Sequence, residues 1–223
     1  MLEDGFSYPL RGEWVGRTII GGILGYFSVL ILPAIILYGY FVEVLRTTAR
    51  GRDEAPEFDD WGEMIKDGVI GLVISIVYAI IPFGIVGIIS TVFLGGGAAL
   101  GGDGGGALAG LGFLTLLLLI PLVFVIYYIV PAAITAYATE DKISAAFSFS
   151  ILKPILLNGS YFIAVLTPVL VAVVIWIATT VLAITVIGLL LVPFLQFYGQ
   201  VAIFRMFGLA YRDVATGSAT STI

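Results

Sequence analysis

The sequence contains no cysteine and no histidine. Those two absences exclude disulfides, thiolate nucleophiles, thiol zinc sites, imidazole ligands and the commonest general base. Catalysis would have to come from carboxylates, hydroxyls, amides or the ten Lys and Arg residues. No nucleophile–base pair or metal cluster stands out among them, so the expectation is a non-enzyme with no cofactor. Positive charge is scarce: the lysines are Lys66, Lys142 and Lys153, and the net charge is −5. No basic stripe exists to neutralise phosphates, which argues against a nucleic-acid partner. Only 11% of residues are charged, against about 25% in an ordinary soluble domain.

Apolar residues fill that space. They make up 60% of the 223 residues, more than a soluble fold of this size can bury, whereas bilayer hydrocarbon accommodates them. The expected class is an all-α integral membrane helical bundle, one transmembrane domain over residues 1–223 of a multi-pass cell-membrane protein. Acidic polar segments beside such a core suit solvation in concentrated salt, so a halophilic source is expected. The N-terminus opens with Glu3 and Asp4 rather than a cationic region. The first apolar stretch is also too long for a signal peptide, so the first span is expected to persist in the mature protein.

A spanning helix needs about 20 predominantly apolar residues. Five stretches qualify, at 18–45, 69–94, 111–137, 161–182 and 188–209, with a short polar tail at 213–223. The connection 46–68 is charged, whereas 95–112 holds ten glycines in eighteen residues and reads as a flexible linker. No strand precedes that run and no Lys-Ser/Thr follows it, so it is not a phosphate loop. The segment 144–157, with Lys142 and Lys153 nearby, reads as a helix lying on the cytoplasmic leaflet.

Arg46, Arg50, Arg52, Lys66, Lys142, Lys153, Arg205 and Arg212 fall on one side of the five spans, and Arg11 and Arg17 on the other. That asymmetry places the N-terminus outside and the C-terminus in the cytoplasm. A rival topology breaks 18–45 at Pro33 into a re-entrant hairpin and puts all ten cations inside. Its arms of about 14 residues, about 21 Å each, are too short to cross alone, which favours five spans. Pro33 and Pro193 are each followed by Tyr-Gly at the fifth and sixth positions, then by Arg46 or Arg205, the pattern of a parallel repeat.

Six prolines fall inside the expected spans, where they kink helices or free carbonyls. Glu43 is the one acid inside an expected span, and Arg46 three residues on offers it a partner. Such scarcity of intramembrane charge argues against an ion-coupled pump. Gln196 and Gln200 share a helix face, suited to hydrogen bonds between helices or to a polar path. Gly21, Gly22 and Gly25 would allow a close helix approach. In the first charged loop, Asp60 and Glu63 have capping-box spacing, and Trp61 with Phe58 would seat the helix start at the interface. Glu57, Asp59, Asp60 and Glu63 form the candidate cation or partner site.

The runs Tyr38-Gly-Tyr-Phe-Val-Glu-Val-Leu-Arg46, Ala49-Arg-Gly51 and Pro56-Glu-Phe-Asp-Asp-Trp-Gly62 resemble the archaeal membrane family called domain of unknown function 4013. So do Asp67-Gly68, Pro131-Ala-Ala and Gly208-Leu-Ala-Tyr-Arg212. The resemblance implies a polytopic archaeal membrane protein and no particular activity, ligand or site. The function expected from the residues is a structural or accessory protein that binds membrane lipids and other membrane proteins. The alternative is a permease or flippase for a neutral or amphiphilic solute.

Overall fold

The computed structural model describes residues 2–217. Of the tail expected at 213–223, the first residues continue the last helix, and 218–223 lie outside the described residues. Every regular element among the described residues is helical. They are α1 (Leu2–Ser7), α2 (Trp14–Tyr26), α3 (Ile31–Ala49), α4 (Trp61–Leu100), α5 (Gly102–Leu117), α6 (Leu119–Glu140), α7 (Phe149–Leu156), α8 (Gly159–Leu182) and α9 (Val186–Ala215). Five stretches are long and apolar enough to cross a membrane: α3, α4, α5 with α6, α8 and α9. The apolar pattern predicts one domain over the whole chain. Its contacts divide into two compact units, one of residues up to Val73 and from Pro131 on, the other Ile74–Val130.

In the first unit the stretch expected as one span at 18–45 is two helices. A 3-10 turn at Phe27–Val29 and an extended Leu30 separate α2 from α3. Pro33 lies in the first turn of α3, where its missing N–H would have had no partner anyway. The break therefore precedes the proline. The glycines of α2 let α9 approach closely: a Cβ on Gly21 would lie 2.4 Å from the Phe197 ring, and one on Gly22 2.1 Å from the Phe194 ring. Backbones meet directly between α3 and α4. A Cβ on Gly39 would be 1.8 Å from the Met64 carbonyl oxygen, and one on Gly68 2.0 Å from that of Ile35. The helices α8 and α9 form a hairpin whose turn is capped by Thr185, its Oγ1 accepting from the Gly188 N–H at 2.9 Å.

The second unit overturns the expected flexible linker. Its glycines are helical, save for a sharp turn at Gly101 and Gly102 with φ of +62° and +57°. Three of them, Gly97, Gly105 and Gly112, serve packing of α4 on α5: a Cβ on Gly97 would meet Gly105 O at 2.6 Å and Ala109 N at 2.7 Å. Close backbone contact here offsets the poor helix propensity of glycine. The outer faces carry exposed Ile76, Ile80, Ile85, Ile88, Phe113 and Phe124.

Candidate functional site

The loop between α3 and α4 occupies the polar end of the first unit. Five successive carbonyls in it each accept a hydrogen bond from a side chain elsewhere. Arg205 donates to Arg52 O (2.6 Å), Arg11 to Asp53 O (3.1 Å) and Tyr8 to Glu54 O (3.1 Å). Arg17 donates to Ala55 O (2.9 Å) and Tyr40 to Pro56 O (3.0 Å). An irregular loop has no ladder to satisfy these groups, and side chains supply the donors instead. The buried Phe58 ring completes the attachment, stacked on Tyr40 with centroids 4.3 Å apart. With the backbone held this way, Asp53, Glu54, Glu57, Asp59 and Asp60 remain exposed.

These contacts place the N-terminal segment against the loop. Arg17 is buried and satisfied by carbonyls, those of Pro9 (3.1 Å) and Arg11 (2.6 Å) as well as Ala55. Arg205 in the second half of α9 bonds Asp4 (2.9 Å), and its guanidinium lies 4.4 Å from the Tyr8 ring centre. Partial burial alone would raise the Asp4 carboxyl, but hydrogen bonds from Arg205 and Arg11 outweigh it and hold its pKa below the ordinary value. The sequence expectation set Arg11 and Arg17 on the side opposite this loop. The structure puts them in contact with it.

A second cluster lies beside the loop. Buried Arg46 donates through Nε to Ala138 O (2.9 Å), and its Nη1 pairs with both Glu43 and Asp67, the latter at 2.6 Å. Its Nη2 reaches Asp141 at 3.2 Å, and the Tyr137 hydroxyl donates to the second Asp67 oxygen. One guanidinium thus ties α3, α4 and the end of α6. The pairing expected of Glu43 is present. Asp67 was not among the sequence candidates, because the second span was expected to begin at 69, whereas α4 begins at Trp61. Its signal was available: Met64, Gly68 and Gly71 mark one helical face, and Asp67 sits on it.

Between these clusters opens a cavity of about 610 Å³. It is lined by Glu43, Asp53, Glu54, Glu57, Asp59, Asp60, Glu63 and Asp67, with Arg52 the one basic residue at its wall. Among the described residues no three carboxylates converge to hold a metal ion. The structure thus brings Glu43, Glu57, Asp59, Asp60 and Glu63 to one opening. The cap is half of a capping box: Asp60 Oδ1 accepts from the Glu63 N–H (3.0 Å), while the Glu63 side chain turns to Lys66 (2.7 Å). Trp61 rests near Phe58, ring centres 5.8 Å apart. Gln196 and Gln200 lie away from the opening. Gln196 donates to Thr179 Oγ1 (2.9 Å) and joins α9 to α8, and Gln200 is half-buried.

Residues 26–184 match a family described as a protein of unknown function, DUF4013. Over 72 residues the chain is 36% identical to an uncharacterized protein of Methanocaldococcus jannaschii, a match covering 30% of this chain and 25% of that relative. The matched part is thus about a quarter of the relative's length. No solved structure matches the chain.

Proposed function

The chain belongs to the DUF4013 family, and we propose that it is a membrane-embedded accessory protein, without catalysis, which binds another membrane protein through the acid-lined cavity. The partner's matching element is a short segment rich in Lys or Arg. The observation that carries this reading is the row of five held carbonyls from Arg52 to Pro56. A loop fixed beforehand presents its acids without an ordering cost at binding. Opposite charge then supplies partner choice and fast encounter. Gln196 is spent on joining two helices, which supports packing over a polar path for solutes.

This polar end belongs in the cytoplasm of an archaeal, salt-adapted cell. All ten Lys and Arg residues fall in the first unit, and Asp103 is the one charge between 74 and 130. Cation-bearing ends face inward. In that orientation α2 and α3 form a re-entrant hairpin, since α2 has 13 residues and is about 20 Å long where the hydrocarbon is about 30 Å thick. Its tip is apolar, with Val29 87% exposed, and belongs in lipid.

Two experiments test these statements. A photo-crosslinker placed at Glu57 in native membranes should capture one membrane protein, and Glu54→Lys with Asp59→Lys, which spares the Asp60 cap, should abolish the adduct without lowering the melting temperature. An adduct indifferent to charge reversal would refute the electrostatic docking. Solute uptake into vesicles holding the pure protein would establish a permease instead. For topology, single cysteines replacing Glu13 and Glu57 should react with an impermeant maleimide from the same side, and one replacing Gly104 from the other. Labelling of positions 13 and 57 from opposite sides would overturn the hairpin.

A further inference from the structure

The helix α6 ends at Glu140 and α8 begins at Gly159. The connecting segment leaves one span and enters the next, so it stays at one membrane surface. It is structured: a 3-10 turn at Ile143–Phe147 leads into α7, which packs on α8 and α9. Ala145, Ala146, Leu152 and Ile155 are buried. The opposite face is the unusual one. Phe149, Lys153 and Leu157 follow one another at intervals of four and so share a side. Phe149 is 74% exposed and Leu157 75%, and Ile143 is exposed beside them. The Lys153 ammonium lies 5.6 Å from the centre of the Phe149 ring.

Charge on this segment is of one sign. Lys142 and Lys153 are its charged residues from 142 to 160, in a chain of net charge −5. Among the described residues neither is in an ion pair, whereas Lys66 is held by Glu63. Of the two acids bordering the segment, Asp141 is taken by Arg46 and Arg50, and among the described residues Glu140, exposed at the end of α6, forms no ion pair with either lysine. Bare apolar groups with ammonium groups beside them are what the boundary between headgroups and acyl chains accommodates, the rings and branched chains below and the flexible lysine stems reaching up.

We propose that 142–157 is a lipid-contact element, with Phe149 and Leu157 set among acyl chains and Lys142 and Lys153 on the phosphates of anionic lipids. The inference is independent of what the acidic cavity binds. A leaflet is the occupant because the flanking spans already hold this segment at its level and because the two charges complement an anionic surface.

The absence of native cysteine makes the test direct. Nitroxide labels at Phe149→Cys and Leu157→Cys, in vesicles containing anionic lipid, should be reached readily by oxygen and poorly by a water-soluble nickel chelate. A label at Glu57→Cys should show the reverse. Equal nickel access at 149 and 57 would place the segment in water and overturn the proposal. Shielding from both reagents would mean a protein cover and overturn it too. By native mass spectrometry, Lys142→Gln and Lys153→Gln should each cut retained anionic lipid about fivefold, and Lys→Arg at either site should restore it. Retention unaffected by both Gln substitutions would remove the anionic-lipid part of the assignment.

Discussion

Asp67 and Glu43 hold the same guanidinium from different surroundings. Asp67 is enclosed between Arg46 and Tyr137, whereas the Glu43 side chain is 27% exposed at the cavity wall. Asp67→Asn removes the enclosed half of a buried pair and should lower unfolding stability by about 3–5 kcal/mol. Glu43→Gln should cost about 1 kcal/mol or less. Denaturant titration in detergent compares the two, and equal losses would show that the cluster is not organised around Asp67. Glycine positions 39 and 68 are stricter still, because the obstructing atoms are backbone carbonyls that no rotamer change can move. Gly39→Ala and Gly68→Ala should each cost about 1–3 kcal/mol or more, read as a drop in melting temperature. Gly104→Ala, a helical position with nothing within 4 Å of its Cβ, should not lower it and should raise it slightly.

Among the elements, α1 is the one least able to stand alone, since six residues cannot sustain a helix in water. It is held by Asp4 on Arg205, by Tyr198 donating to Phe6 O, and by Gly5 against Met206. The Asp4 carboxyl is held below its ordinary pKa, so folding favours its ionised form. Its contribution is present above the ordinary carboxylate range and is lost as pH falls through the lower, folded value. Limited proteolysis within residues 2–10 should therefore accelerate on acidification. Asp4→Asn should be cut faster at neutral pH and respond little to acid; an unchanged pH response in that variant would assign the effect to another group. Long apolar runs made α8 and α9 legible in the sequence, and the Asp60 cap was legible because it is local. A break in 18–45 was legible only as the rival hairpin at Pro33, and its true place at 27–30 was not, since only Ser28 hints at a turn there. The glycine run misled because its backbone contacts lie across two helices. The loop clamp was invisible for the same reason: Tyr8, Arg11, Arg17 and Arg205 lie 46, 42, 38 and 153 residues from the carbonyls they hold.

For the whole molecule, the division of charge is the governing feature. One unit carries every Lys and Arg, and the other carries Asp103 alone. A cation placed on the apolar helices of the second unit should therefore impair insertion. Ile85→Lys, on an exposed apolar face, should lose membrane-integrated yield through a cost of about 2.5–3.5 kcal/mol, measured by alkaline extraction, while Glu57→Lys should integrate normally. Equal integration of both would show that the Ile85 face is not in lipid. The helices α3 and α9 pack together, and the arginines that follow Pro33 and Pro193, Arg46 and Arg205, are both buried and ion-paired. The two differ in where their acids originate. Arg46 is served by Glu43, Asp67 and Asp141, while Arg205 draws Asp4 from 201 residues upstream. That separation sets a timetable for biosynthesis. Asp4 leaves the ribosome long before its arginine exists, and the clamp on Arg52 cannot close until α9 has been made. A chain stalled before residue 205 lacks the bonds to Asp4 and to the Arg52 carbonyl, so full closure of this end reports that translation has passed Arg205.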